Sequence, residues 1–359
     1  MAKNYTSIAL NFLPERELEI IGAITAEKMS LMREKALAKL KESAEIDGFR
    51  KGNAPESMIV RKVGEMRLLE EAAEIALSEE YPNILEEHNI DAIGRPEIAI
   101  TKMAPGNPLE FKIKTSLMPE VKLADYKKIA SKAKPRSDSP ESTTGATDAE
   151  VDEVIKNIRR NVAHEKIHRE SGTEASSHNH PEIKDEDLPI VDDTFIKMLG
   201  DFKDVEDFKS KIKENIIEGK AKATTDKMRT EILEKIMEES KIELPKIIVE
   251  GEMEKMIAQF KDDIGKSGIP FEEYLKHIKK TEDDLKLEWK DTAVKRAKSQ
   301  VILNTIAKDE GIAAKEEDIK KGMENILAHH KDADRFRVRM HVETFLTNEL
   351  VFQYLENQK

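Results

Sequence analysis

The 359-residue sequence has no cysteine, which excludes disulfides, thiolate metal sites and cysteine nucleophiles together. Aromatic residues are scarce, at 5% with a single tryptophan, and between Tyr126 and Phe195 there is no Phe, Trp or Tyr at all. A pocket walled by aromatic rings cannot be assembled from that stretch. No segment approaches the ~20 apolar residues of a membrane span. The opening MAKNYTSIALNFLP also lacks the basic, apolar and small-residue succession of an export signal. A cytoplasmic protein with no membrane partner is the expectation. GxxxxGK[ST], GxGxxG opening a helix and GxSxG are all missing, so neither a nucleotide-driven cycle nor serine hydrolase chemistry has support, and no cofactor is expected.

Charge and helical periodicity dominate what remains. Charged residues make up 37% of the chain, and the formal net charge is -12. That acidity argues against indiscriminate nucleic-acid or DNA binding. The distribution is uneven, however. From Lys28 to Lys62, nine basic residues (Lys28, Arg33, Lys35, Lys39, Lys41, Arg50, Lys51, Arg61, Lys62) face five acidic ones (Glu34, Glu42, Glu45, Asp47, Glu56). An acidic body with one small basic tip allows a single oriented contact with a polyanion, whereas the plainer reading is a solvated helix face.

The length predicts two or three domains. Alternation of Ile8, Leu10 and Phe12, then Leu18, Ile20 and Ile24 after Pro14-Glu15-Arg16, predicts a hairpin with one buried face. Met29, Met32, Ala36, Leu37 and Leu40 give an apolar helical stripe over 26–46. A short helix from Glu56, a longer one over 66–88 and strands over 92–102 and 109–118 complete an α+β domain, 1–118. Residues 119–147 read as an extended, low-complexity linker, poor in large apolar residues from Ser131 onward. Residues 148–359 read as an elongated, mainly helical domain interrupted by a polar loop at about 169–187. Within it, Thr281-Glu282-Asp283-Asp284 is a capping-box start for a long helix.

The stretch GFRKGNAP, Gly48 to Pro55, is the most specific signal. Gly48 and Gly52 permit backbone angles closed to other residues, and Pro55 is suited to opening a helix. Phe49, Arg50 and Lys51 are thereby presented at a bend, the chemistry of a docking tip. The stretch resembles the ribosome-binding signature of trigger factor, the bacterial chaperone family that meets nascent chains at the ribosomal tunnel exit. Asn53 stands where a further lysine is common, so one phosphate contact is expected to be lost. The blocks LPIVDDTFIKMLGDF and IELPKIIVEGEMEKM through LEWKDTAVKRAKSQVILNTIA are similar to the same family, which extends the resemblance over nearly the whole chain.

The resemblance implies a C-terminal body with helical arms that cradle unfolded polypeptide without a cofactor. It also implies partners at the tunnel exit, both protein and rRNA, and a homodimer off the ribosome. Met253, Met256, Phe260 and Phe271 are candidate client contacts, although helical spacing assigns most such positions to the core. The family's inserted prolyl isomerase domain of the FK506-binding type is expected to be missing. Only about twenty residues separate Ile167 from Leu188, fewer than the roughly 40 an unstapled domain needs. The chain is therefore expected not to be an enzyme.

One motif points elsewhere. His164-Glu165-Lys166-Ile167-His168 matches HExxH, with His178 and His180 downstream, and would make a zinc metallopeptidase if a dry cavity surrounded it. Its polar flanks favour adventitious metal binding at His164 and His168, or none. A general holdase not bound to ribosomes is the remaining alternative.

Overall fold

The structure, a computed structural model, describes residues 3–43, 46, 49, 53–133, 145–171 (without the side chains of 167–171) and 183–358. The chain divides into two compact units, Met1–Ala124 with Met237–Val351, and Asp125–Ile236 with Phe352–Lys359.

The first unit opens with strands β1 (Tyr5–Leu13) and β2 (Glu17–Ile24) and helices α1 (Ala26–Ser43), α2 (Glu56–Val63) and α3 (Glu65–Glu87). Strands β3 (Ala92–Lys102) and β4 (Leu109–Leu117) follow, giving an antiparallel sheet of order β1-β2-β4-β3. Alternation decides which face is covered. Leu18, Ile20 and Ile24 of β2 and Leu109, Phe111 and Ile113 of β4 point into one core, where they meet Met29, Met32 and Ala36 of α1 and Leu68, Ala72, Ala76 and Ile84 of α3. Each fully buried large side chain there contributes about 1.5–3 kcal/mol. The expected hairpin forms with Leu10 opposite Ile20 and Phe12 opposite Leu18, yet Phe12 itself is exposed. Gly22, paired with Phe111, has no room for a side chain: a Cβ there would lie 2.5 Å from Ile8 Cδ1 and 2.9 Å from Phe111 Cζ.

The chain continues through β5 (Glu120–Lys122) and α4 (Tyr126–Lys132), elements inside the range that sequence reads as a linker. Then come α5 (Asp148–Ser171), α6 (Asp193–Leu199) and α7 (Val205–Glu239). In the second unit Val151 and Ile155 of α5, Phe195 and Ile196 of α6 and Phe208 and Ile212 of α7 share a small core. Arg159 donates to the carbonyls of Leu188 (3.1 Å) and Pro189 (2.6 Å), and Arg160 pairs with Asp185 at 3.0 Å, fastening the chain beyond the polar loop back onto α5.

Strand β6 (Lys241–Glu243) returns to pair with β5, Val121 opposite Ile242. Helices α8 (Lys246–Lys266), α9 (Phe271–Ile278), α10 (Glu282–Asp309), α11 (Glu316–His329) and α12 (Arg335–Glu356) complete the chain. The capping box at the head of α10 forms as read from sequence, with the Asp284 N–H donating to Thr281 Oγ1 (3.2 Å) and the Thr281 N–H to Asp284 Oδ2 (2.8 Å). An α+β region with a small antiparallel sheet, followed by mainly helical structure, is thus the observed architecture. Among the described residues no helix is long and apolar enough to cross a membrane.

Candidate docking tip and helical groove

The tip grows out of the end of α1, and the sequence on either side anchors it. Ile46 packs against the sheet–helix core, and Ala54 is buried within it. Phe49 stands between these two anchors, its N–H donating to the Ile46 carbonyl at 3.0 Å while its ring remains 43% exposed. Pro55 follows at the N-cap of α2, with φ -60° and ψ 147°, and its carbonyl accepts from Met58 (3.0 Å) and Ile59 (3.2 Å). Since the Ile59 side chain is fully buried, α2 is fixed against the core and the loop's far end with it. Gly48, Arg50, Lys51 and Gly52 lie outside the described residues.

The basic residues leading to the tip are spent differently from what a charge count implies. Lys28 lies 2.7 Å from Glu79 and 2.8 Å from Glu80, Arg33 holds Glu56 (2.9 Å) and Glu65 (3.0 Å), Lys35 holds Glu79 (2.7 Å), and Lys39 pairs with Glu71. These contacts tie α1 to α2 and α3. Burial alone would lower the Lys28 pKa, but the carboxylates of Glu79 and Glu80 outweigh it and raise it. Arg33 is raised chiefly by Glu65, then Glu56. Glu79 is held below its usual value by Lys28 and then Lys35. For Glu80, burial pushes upward, yet hydrogen bonds from Lys28, Asn83 and Asn4 prevail and lower it. Four of the nine cations in the basic run are therefore structural, a role that no sequence signal separates from docking because the partners lie 23 to 52 positions away.

The candidate client residues sit where α8, α9 and α10 meet. Met253 and Met256 are buried against Ala293, with Val249 and Trp289 packed around them. Phe260 is the hub of an aromatic cluster, with ring centroids 5.2 Å from Trp289, 5.5 Å from Tyr274 and 6.1 Å from Phe271, all edge-to-face. Beside this core lies a groove of about 760 Å³, whose apolar lining includes Leu244, Val249, Met253, Leu287 and Val294, with Lys290 among its charged residues. Leu287, 75% exposed, escaped notice in sequence because it falls out of phase with the Leu285, Trp289 and Ala293 stripe.

The HExxH motif lies on α5 with His164 half-buried, whereas the His168 side chain and residues His178 and His180 fall outside the described residues. Among the described residues no three His, Asp or Glu converge to hold a metal.

Comparison with known proteins decides the family. The description "Bacterial trigger factor protein (TF)" matches residues 9–158, and "Bacterial trigger factor protein (TF) C-terminus" matches 204–356. The chain belongs to the trigger factor family. Members of this family are ribosome-associated chaperones that act in protein folding, and the two matches take in both the docking tip and the groove. The trigger factor of Agathobacter rectalis is 24% identical over 93% of this chain and 90% of its own length. That of Carboxydothermus hydrogenoformans is 25% identical over 88% of each. A solved structure of the trigger factor chaperone, from work on promiscuous substrate recognition in folding and assembly, shares the fold with a TM-score of 0.55 at 17% identity, covering 99% of this chain and 100% of that one.

Proposed function

We propose that this chain is an energy-independent holdase that docks at the ribosomal tunnel exit through Phe49, Arg50 and Lys51, the bend being framed by Gly48, Gly52 and Pro55. The observation that carries this reading is Phe49, an exposed ring suspended between two core anchors, Ile46 and Ala54. A large apolar side chain left in water gains free energy when a partner niche covers it, and the adjoining cations meet rRNA phosphate or acidic protein. Residues 1–118 serve as the docking domain, 119–147 as the connection and 148–359 as the chaperone body. The α8–α10 groove receives apolar client segments, with Met253 in its wall and Met256, Phe260 and Phe271 forming its support. Release follows once the client buries those segments itself. The protein works in the cytoplasm and forms a homodimer when off the ribosome.

The inserted isomerase domain is absent. The family matches leave only residues 159–203 between them, and the pairing of Arg160 with Asp185 bridges most of that interval. The alignment with the Agathobacter rectalis protein also runs over 407 positions, more than the 359 residues available here, so part of that relative has no counterpart.

Replacing Phe49, Arg50 and Lys51 with alanine abolishes cosedimentation with ribosomes and leaves the helical circular dichroism unchanged; undiminished cosedimentation would refute the docking assignment. Acceleration of Xaa-Pro isomerisation above background by the purified chain would overturn the missing domain.

A further inference from the structure

A second cavity, of about 350 Å³, lies against the middle of α10, and its lining is polar and cationic. Thr292, Lys295, Arg296, Ser299, Gln300 and Leu303 recur at helical spacing along one flank of the helix, and Glu252 of α8 joins them. Lys290, Val294 and Lys298 line the groove instead, so the two cavities draw on different flanks of α10. Between Asp291 and Asp309 the helix has no acidic residue and four basic ones, Lys295, Arg296, Lys298 and Lys308, in a chain whose net charge is -12. At the head of the same helix cations are matched: Glu282 takes Lys261 (2.8 Å) and Lys286 (3.0 Å), and Glu288 takes Lys280 (2.6 Å). Lys295 and Arg296, both exposed, make no ion pair among the described residues.

The hydroxyls around this cavity are uncommitted too. Thr305 gives its proton to the Val301 carbonyl at 2.8 Å, a common use of a hydroxyl inside a helix, whereas Thr292 and Ser299 make no side-chain hydrogen bond among the described residues. Gln300 is already spent. It donates to Asn304 (2.8 Å) and Asn348 (3.1 Å) and accepts from Asn348 (3.0 Å), which makes it a fixed wall. A guanidinium, an ammonium and two hydroxyls offer more donors than the two oxygens of a carboxylate accept, and they match the three terminal oxygens of a phosphate monoester. Among the described residues Leu303 alone gives the cavity an apolar wall, too little to cover the side chains of a polypeptide. Glu252 is half-buried and pairs with Lys255 at 3.5 Å. Its carboxylate repels a ligand of high charge but accepts the proton of a ligand hydroxyl. The volume is that of about twelve waters at ~30 Å³ each, more than a bare phosphate displaces.

We propose that this cavity binds a small phosphate monoester carrying hydroxyl groups, of the sugar-phosphate class. Arg296 and Lys295 take the phosphate, Thr292 and Ser299 complete its shell, and Glu252 accepts from a ligand hydroxyl. A ligand held in this way joins α8 to α10, the two helices that also line the groove. The inference goes beyond the chaperone reading and does not depend on it.

The test is isothermal titration calorimetry on the full chain at low ionic strength, with ribose 5-phosphate, inorganic phosphate and ribose as ligands and a short polyuridine as the polymeric phosphate. Ribose 5-phosphate is expected to bind with a Kd on the order of 0.1–1 mM, about three- to tenfold more tightly than inorganic phosphate, and more weakly as salt is added. Ribose alone does not bind. Lys295→Gln with Arg296→Gln weakens ribose 5-phosphate by about tenfold or more, whereas Arg50→Ala with Lys51→Ala leaves it unchanged. Glu252→Gln tightens inorganic phosphate and erases the advantage of the ester, a change in ranking that loss of folding cannot produce. Helical circular dichroism confirms that each variant is folded. Undiminished binding in the Lys295 and Arg296 variant overturns the proposal, as do equal affinities for phosphate and its ester, loss of binding in the Arg50 and Lys51 variant, or tighter binding of polyuridine through the same residues. Aggregation suppression of an unrelated refolding protein, followed in parallel, reports on the chaperone reading alone, so the two can fail separately.

Discussion

Replacing Lys28 with methionine should destabilise the N-terminal α+β region far more than an ordinary surface charge deletion. The Lys28 ammonium lies 2.7 Å from Glu79 and 2.8 Å from Glu80, and Glu80 is 2% exposed. At these distances an effective dielectric of about 20 gives a gross attraction of about 6 kcal/mol per pair, most of it offset by dehydration of the charges. Methionine retains the packing of the lysine stem and removes only the charge. Glu80 is then left buried with hydrogen bonds from Asn4 (2.9 Å) and Asn83 (3.0 Å) alone, while Glu79 keeps Lys35. Stranding one buried partner in this way costs about 2–4 kcal/mol. Adding Glu80→Gln removes the stranded charge and recovers all but about 1 kcal/mol. Urea unfolding combined with hydrogen exchange at the β2 and β4 amides measures both variants. A Lys28→Met cost below about 0.5 kcal/mol, within the range of ordinary surface changes, or strictly additive effects in the double mutant, refutes the idea that this pair locks α1 to α3.

Three other outcomes follow from the geometry. The folded-state pKa values of Glu79 and Glu80 lie below 4.5, so their stabilisation is present above that pH and disappears as pH falls through the lower folded values. That of Lys28, raised above 10.5, is lost only at the alkaline extreme. Urea midpoints should therefore drop more steeply below about pH 4.5 in the natural chain than in the Lys28→Met, Glu80→Gln variant. Gly22→Ala places a methyl group within 2.5 Å of Ile8 Cδ1 and should cost about 1–3 kcal/mol by the same unfolding assay. Thr281→Ala removes one half of the α10 capping box and should cost about 1 kcal/mol, read as a shift in the Trp289 fluorescence midpoint.

Local chemistry was legible in the sequence where it was periodic. The β3 strand spans the residues its alternation marks, and the α10 cap follows from Thr281 and Asp284 alone. Helix α3 runs through Pro82 because burial of Leu77, Glu80 and Ile84 on either side holds the turn in place against the missing N–H. Distant partnerships were not legible. Val121 meets Ile242 across more than a hundred residues, and neither three-residue strand is long enough to show a period. The basic run at 28–62 looked like a single patch because sequence carries no record of which lysines face Glu71, Glu79 or Glu80. At the candidate site, the buried Met253 and the exposed Leu287 differ only by phase against a tertiary neighbour, and hydrophobicity alone cannot supply that phase.

Lys28, Arg33, Lys35 and Lys39 are committed to internal partners and add nothing to the footprint proposed for docking, which is one ring and two cations, Phe49, Arg50 and Lys51. That is far smaller than the roughly 1,200 Å² buried in stable protein interfaces. Such a grip favours a fast off-rate, and a body held at a single spot can swivel about it. A modest number of molecules could then sample many translating ribosomes, staying longest where a client segment lodges in the groove and adds a second attachment to the first.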